Sequence, residues 1–288
     1  MDQTKKLIVN CDDFGQSPAM NKAIMHLLEE GKVSSATVMT PAPAFEEAAA
    51  WCRAHPEAPV GLHLTFTSEF TALRWPSLTK HPSLHDETGH LWMTVDQFAL
   101  NAEPAAVEAE MEAQFLAAEK HGISVTHADN HMGSLYGLTP GAPSYLPNVF
   151  QQCARRGLPF RMFRRAAPDD PLAAGIPDLA ARLAQVTGLA DQLGVPLVDY
   201  LLSHPFHIEE NETYDTFKRT LIEKLYRLPD GIVETYIHPG AEDAWMSEHI
   251  PHWEKRVWEF RLMFDDDWAY ALKDANVELV DYRILRKS

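Results

Sequence analysis

An α/β barrel of the TIM-like kind, regular or distorted, in one domain over residues 1–288, is the fold this sequence predicts. Short apolar runs alternate with helix-length amphipathic segments along the chain, which predicts a parallel sheet with helices outside it. A length of 288 residues is long for an average domain but ordinary for one closed barrel. Several of the apolar runs also end in acids or histidines, and the C-terminal ends of parallel strands are where ligands gather.

The first strand is Leu7-Ile8-Val9-Asn10-Cys11-Asp12-Asp13, followed by a helix from about Pro18 to Glu30 that Asp13 or Ser17 could cap. Ser35 to Met39 reads as the second strand and Ala44 to His55 as a helix with an apolar Ala/Trp51 face. Pro59 to Phe66 is the third strand. Ala102 to His121 is a helix with Val107, Met111 and Phe115 at helical spacing, stopped by Gly122. Ile123 to Asp129 reads as the fourth strand, Leu146 to Arg156 as a helix ended by Gly157, and Pro159 to Phe163 as the fifth strand. Leu179 to Leu193 is helical, Val198 to Ser203 the sixth strand, Tyr214 to Leu225 helical, and Ile232 to His238 the seventh strand. One long helix, Glu248 to Lys273, and a terminal strand, Val277 to Tyr282, close the chain. Ser68 to Met93, dense in Pro, Thr, His and Trp, reads as a long loop over the barrel mouth, and loops of that length usually serve function.

Composition excludes several partners. Lys plus Arg is 25 and Asp plus Glu 41, a net charge of −16, which disfavours a nucleic-acid backbone or an anionic membrane and suits a neutral or cationic small substrate. No apolar run approaches the ~20 residues that span a bilayer. Three cysteines at no metal-ligand spacing imply a reducing compartment, and the polar start of the chain has no long apolar leader, so a cytoplasmic location is expected. The acidic surface leaves assembly as a homo-oligomer open.

Asp12 and Asp13, His63, the trio His127, Asp129 and His131, and His238 each fall at or just past a predicted strand end, so four separate segments point to one rim. Adjacent carboxylates repel and desolvate one another, and proteins rarely keep such a pair without a metal or proton to hold. Asp13, His63 and His131 are the expected ligands of a divalent ion such as zinc, magnesium or manganese, since one carboxylate and two imidazoles leave coordination positions open to activate water. Asp12 is then free to act as general base, and His238 is placed to protonate a leaving group. His127, Asp129 and His131 share one face of a strand, so Asp129 could orient a ligating imidazole, or else form an Asx turn at the strand exit. Trp245, just past the His238 strand, is the candidate substrate wall. Phe70, Trp75 and Trp92 would either stack on a substrate ring or pack the long loop down, whereas Trp253, Trp258 and Phe260 read as core. His204 and His207 read as loop residues in preference to pocket residues.

The opening Leu7 to Gly15, Gly61-Leu62-His63-Leu64-Thr65, Thr126 to His131 and Glu234 to Gly240 resemble, in order, the motifs of the YdjC-like carbohydrate deacetylases, which include chitooligosaccharide deacetylases. The resemblance implies a TIM-like barrel, the same three metal ligands, Asp12 as base, and Arg161 as an active-site or substrate arginine. It also implies removal of acetyl groups from N-acetylated amino sugars with a divalent metal, magnesium or zinc, as cofactor. The chain departs from the pattern after His131, where Met132-Gly133-Ser134 stand in place of further histidines, so its sugar contacts differ. Two other readings stay open: a metal-dependent hydrolase or isomerase of another small polar substrate, and a non-catalytic sugar- or metal-binding protein, against which the spare Asp12 argues.

Overall fold

Both faces of the central strands are buried, as expected of a sheet covered by helices on one side and closed on itself on the other. The computed structural model describes residues 4–167, 176 and 178–286. Its first half runs β1 (Lys5–Phe14), α1 (Pro18–Glu29), β2 (Ser35–Val38), α2 (Phe45–Ala54), β3 (Val60–Leu64), α3 (Val95–Asn101), α4 (Pro104–Lys120), β4 (Ala128–Asn130) and α5 (Leu146–Arg156). The second half runs β5 (Phe160–Phe163), α6 (Leu179–Leu193), β6 (Leu197–Val198), β7 (Tyr200–Leu202), α7 (Tyr214–Tyr226), β8 (Ile232–Ile237), α8 (Ala244–His249), α9 (Trp253–Leu262), α10 (Asp266–Asp274) and β9 (Val277–Leu279).

The strands pair in the order β6-β5-β4-β3-β2-β1-β8-β7, all parallel, with β9 on β1. The two ends of that path, β6 and β7, are separated in the chain by Asp199 alone. The sheet therefore curls until its edges meet in one broken strand, and the TIM-like barrel is nearly closed. Asp199 is the break: its backbone N–H bonds Ile232 on β8, while its carbonyl accepts from Arg165 beyond β5. No helix among the described residues is long and apolar enough to cross a membrane.

Residue parity on β1 sets the layers. Leu7, Val9 and Cys11 join the main core with the surrounding helices. Ile8 instead joins Phe163, Val198, Leu201 and Tyr282 in a separate apolar cluster that floors the barrel. Above it, on the same face, stand Asn10 and then Asp12.

Four expectations are corrected. The fourth strand is only Ala128–Asn130, although Thr126 still bonds β3 through Val60. The long terminal helix is three helices: Pro251, which lacks a donor, and left-handed His252 (φ 56°) separate α8 from α9, and the Asp265 side chain caps a fresh start at Asp267 N–H. An unforeseen helix, α3, begins at a reciprocal Thr94–Gln97 capping box. Trp253, Trp258 and Phe260 flank the core half-buried, not within it. In the long loop, Trp75 is buried and Trp92 half-buried, so these two rings pack the loop down onto the barrel.

Candidate metal centre

By strand alternation Asp13 should point outward, away from Asp12. It does not, because β1 shifts register between Cys11 and Phe14 and Asp13 adopts a left-handed φ of 66°. Aspartate tolerates that region better than most residues, and the strain of about 1–3 kcal/mol typical of such positions clusters at functional sites. The bulge swings the second carboxylate back over the barrel mouth.

There Asp13 Oδ1 lies 3.6 Å from His63 Nε2 on β3 and 3.3 Å from His131 Nδ1 in the turn after β4. The two ring nitrogens are 3.3 Å apart. All three side chains are buried, and Oδ1 has no hydrogen-bond partner among the described residues. Each imidazole has its other nitrogen on a carboxylate: His63 Nδ1 is 2.6 Å from Asp129 Oδ1, and His131 Nε2 is 2.8 Å from Glu69 Oε2. Those contacts fix both tautomers so that the remaining nitrogens turn toward Asp13. An orphaned carboxylate oxygen facing two aimed imidazole nitrogens is a donor set that fits a small divalent cation. Without a cation, burial disfavours a charged His131, but Glu69 and Asp13 overcome it and push the ring up to about 10.

A second group, Asp12, His63 and Asp129, is as close together, but both its carboxylates are already paired with a guanidinium. Arg161 on β5 forks onto Asp12, Nη1 to Oδ2 and Nη2 to Oδ1, both at 2.7 Å. The same guanidinium reaches Asp129 Oδ2 at 3.0 Å and Glu234 Oε1 at 2.8 Å. Burial pushes the Asp12 carboxyl up, and Arg161 more than reverses this, holding it well below the usual carboxylate range. Glu234, which Tyr282 also bonds, is pushed by burial up to about 7 despite Arg161.

His127 is not at the centre. Its ring stacks on Tyr282 at 3.8 Å, and Nε2 lies 3.2 Å from Asn10 Oδ1, while Asn10 Nδ2 donates to Asp12 Oδ1 at 2.9 Å. A β-carbon at Gly61 would meet the His127 ring at 2.6 Å, so this position of β3 admits only glycine. His238 Nε2 stands 3.9 Å from Asp12 Oδ2, and burial lowers the ring's proton affinity. Its backbone N–H is held by Glu259 Oε2 at 2.7 Å, and the other Glu259 oxygen meets His204 at 2.8 Å, so His204 is a buried strut in the loop after β7. Trp245 is not gathered with these groups: it is partly exposed on α8 and stacks on His249.

Sequence reasoning missed Glu69 and Arg256. Glu69 stands in the aperiodic long loop, and Arg256 lies on an aromatic-rich helix where its arginines and lysine read as surface. Arg256 Nη1 donates to Asp13 Oδ2 at 3.0 Å.

The profile of the YdjC-like proteins matches residues 6–274. Curated relatives include a carbohydrate deacetylase of Geobacillus stearothermophilus, 28% identical over 277 residues, covering 96% of either chain. One of Brevibacillus brevis is 28% identical over 277 residues, covering 96% of this chain and 98% of that one. Among solved structures, a proposed cellobiose-phosphate cleavage protein of Enterococcus faecalis superposes with a TM-score of 0.77 at 23% identity, over 99% of this chain and 100% of that one, and shares the fold.

Proposed function

This chain belongs to the YdjC-like family, and on that premise we propose that it is a metal-dependent carbohydrate deacetylase that hydrolyses the acetamide of N-acetylated amino sugars to acetate and a free amine. The observation that carries the reading is the unpartnered Asp13 Oδ1 facing His63 Nε2 and His131 Nδ1 at 3.6 and 3.3 Å. Those three residues would hold zinc or magnesium, and the two imidazoles suit zinc better by ligand type. When bound, the ion polarises the amide carbonyl and acidifies water.

The chain's own residues supply the proton transfers. Asp12 Oδ1 already accepts from Arg161 and Asn10, whereas Oδ2 has only Arg161 within hydrogen-bond range among the described residues, so Oδ2 keeps the lone pair that takes a proton from water. Arg161 holds Asp12 ionised and aligned. It also keeps the carboxyl too acidic to retain the proton. His238, whose Nε2 stands 3.9 Å from Asp12 Oδ2, takes up that proton and passes it to the departing nitrogen, so both residues end in the state in which they began. A net charge of −16 suits a neutral sugar and a cationic amine product. The same composition, with its three cysteines free and buried, supports work in the cytoplasm.

The test is acetate release from N-acetylated mono- and oligosaccharides by metal-loaded protein, with a chelated control. Release that the chelator stops is expected. Silence across the panel, with metal bound, would favour a hydrolase or isomerase of another small polar substrate on the same centre. Glu69→Gln keeps an acceptor for His131 but removes its charge. It is expected to weaken zinc binding by about 10–100-fold, read by competition with a chromophoric chelator. An unchanged affinity would make Glu69 a loop anchor only.

A further inference from the structure

Asp13 is held from outside the barrel by a residue 243 positions away in the chain. Arg256 Nη1 donates to Asp13 Oδ2 at 3.0 Å and to the His238 carbonyl at 3.3 Å, and its guanidinium lies over the Phe70 ring at 5.7 Å. Its backbone is gripped as well: Gly240 N–H bonds the Arg256 carbonyl at 3.1 Å, and a β-carbon at Gly240 would meet Met246 Sδ at 2.9 Å, with Arg256 Cβ beside it at 3.4 Å. The loop after β8 is thus clasped to α9 where Arg256 reaches Asp13.

We infer that Arg256 is a positioning residue that sets how Asp13 meets the metal. By occupying Oδ2 it leaves Oδ1 alone to face His63 and His131, which makes the carboxylate a one-oxygen ligand. It also keeps a full positive charge one carboxylate away from the bound dication. The inference rests on reading Asp13, His63 and His131 as ligands. Its two effects on metal affinity oppose each other. Orientation favours binding by the modest factor usual for groups behind a ligand, whereas repulsion between a guanidinium and a dication in a buried site is the larger effect. Arg256 therefore trades affinity for geometry. An arginine serving only as scaffold would do the reverse, since its loss would loosen the site.

The sign of the change distinguishes the two. Full-length protein stripped of metal is titrated with Zn²⁺ against a chromophoric chelator, and steady-state deacetylation is measured on the loaded forms. Arg256→Gln is expected to bind Zn²⁺ about tenfold more tightly or better, while kcat falls about thirtyfold with KM within about threefold. Arg256→Lys, which keeps the charge but ends one atom short of the Nη1 position that bonds Asp13 and the His238 carbonyl, is expected to show wild-type affinity with kcat lowered about tenfold. Equal or weaker Zn²⁺ binding by Arg256→Gln overturns the inference. If that variant does not fold, wild-type kcat in Arg256→Lys overturns it. Wild-type protein that binds no Zn²⁺ at all overturns the underlying metal reading instead, and the inference with it.

Discussion

Asp12→Asn is expected to lower kcat by about 10²–10⁴-fold, the range for loss of a general base, while zinc affinity stays close to that of the unaltered protein. Asparagine has the shape of aspartate and keeps an oxygen for one arm of the Arg161 fork, so the barrel interior needs little rearrangement. What disappears is the one basic lone pair on Oδ2. Asp12 is not among the donor atoms that converge on Asp13 Oδ1, which is why binding should survive. Comparing kcat with the zinc dissociation constant on the same preparation decides the matter. Full turnover in the variant would remove Asp12 from the base role. Lost zinc with lost turnover would make it a ligand.

What the sequence disclosed and what it hid follow from different physics. Barrel strands are buried on both faces, so β1, β2, β3, β5 and β8 stand out as apolar runs, and glycines such as Gly122 and Gly157 end helices where φ must turn positive. His63 and Asp129 were legible because period-two alternation places inward residues on one face of each strand, and His131 because it follows Asp129 by two positions, although it sits in the turn just past β4. Asp13 obeys the opposite rule. It reaches the centre only because β1 bulges, and nothing local in Cys-Asp-Asp-Phe announces a register shift. Glu69 and Arg256 were hidden for another reason: each acts through tertiary closure of a loop or helix that has no fixed offset from the strands. The single helix expected over 248–273 failed on capping, since its run of aromatic residues obscured the stops at Pro251 and Asp265.

Arg161→Met should be the most destabilising single change in the barrel interior. The guanidinium pairs with Asp12, Asp129 and Glu234 together, all buried, with contacts of 2.7 to 3.0 Å. Removing one partner of a buried ion pair costs about 3–5 kcal/mol because the other charge is left uncompensated, and here more than one carboxylate is stranded. The loss should also depend on pH in a defined direction. In the unaltered protein the Asp12 carboxyl lies below its unfolded value, so its contribution to stability is present above the unfolded pKa near 3.8 and fades only as pH falls through the folded one. Without Arg161 the largest influence opposing burial is gone, and burial pushes Asp12 upward, as it already does Glu234, which stands at about 7 with Arg161 in place. A carboxyl raised in the folded state favours folding at low pH and loses that advantage as pH rises through its folded value. The variant should therefore fall furthest behind at pH 8 and recover part of the difference at pH 5. Urea unfolding of metal-free protein at both values measures this. A gap between the two proteins that is the same at pH 5 and pH 8 would mean that the stranded carboxylates find other partners, and that Arg161 is not what holds these charges in the barrel.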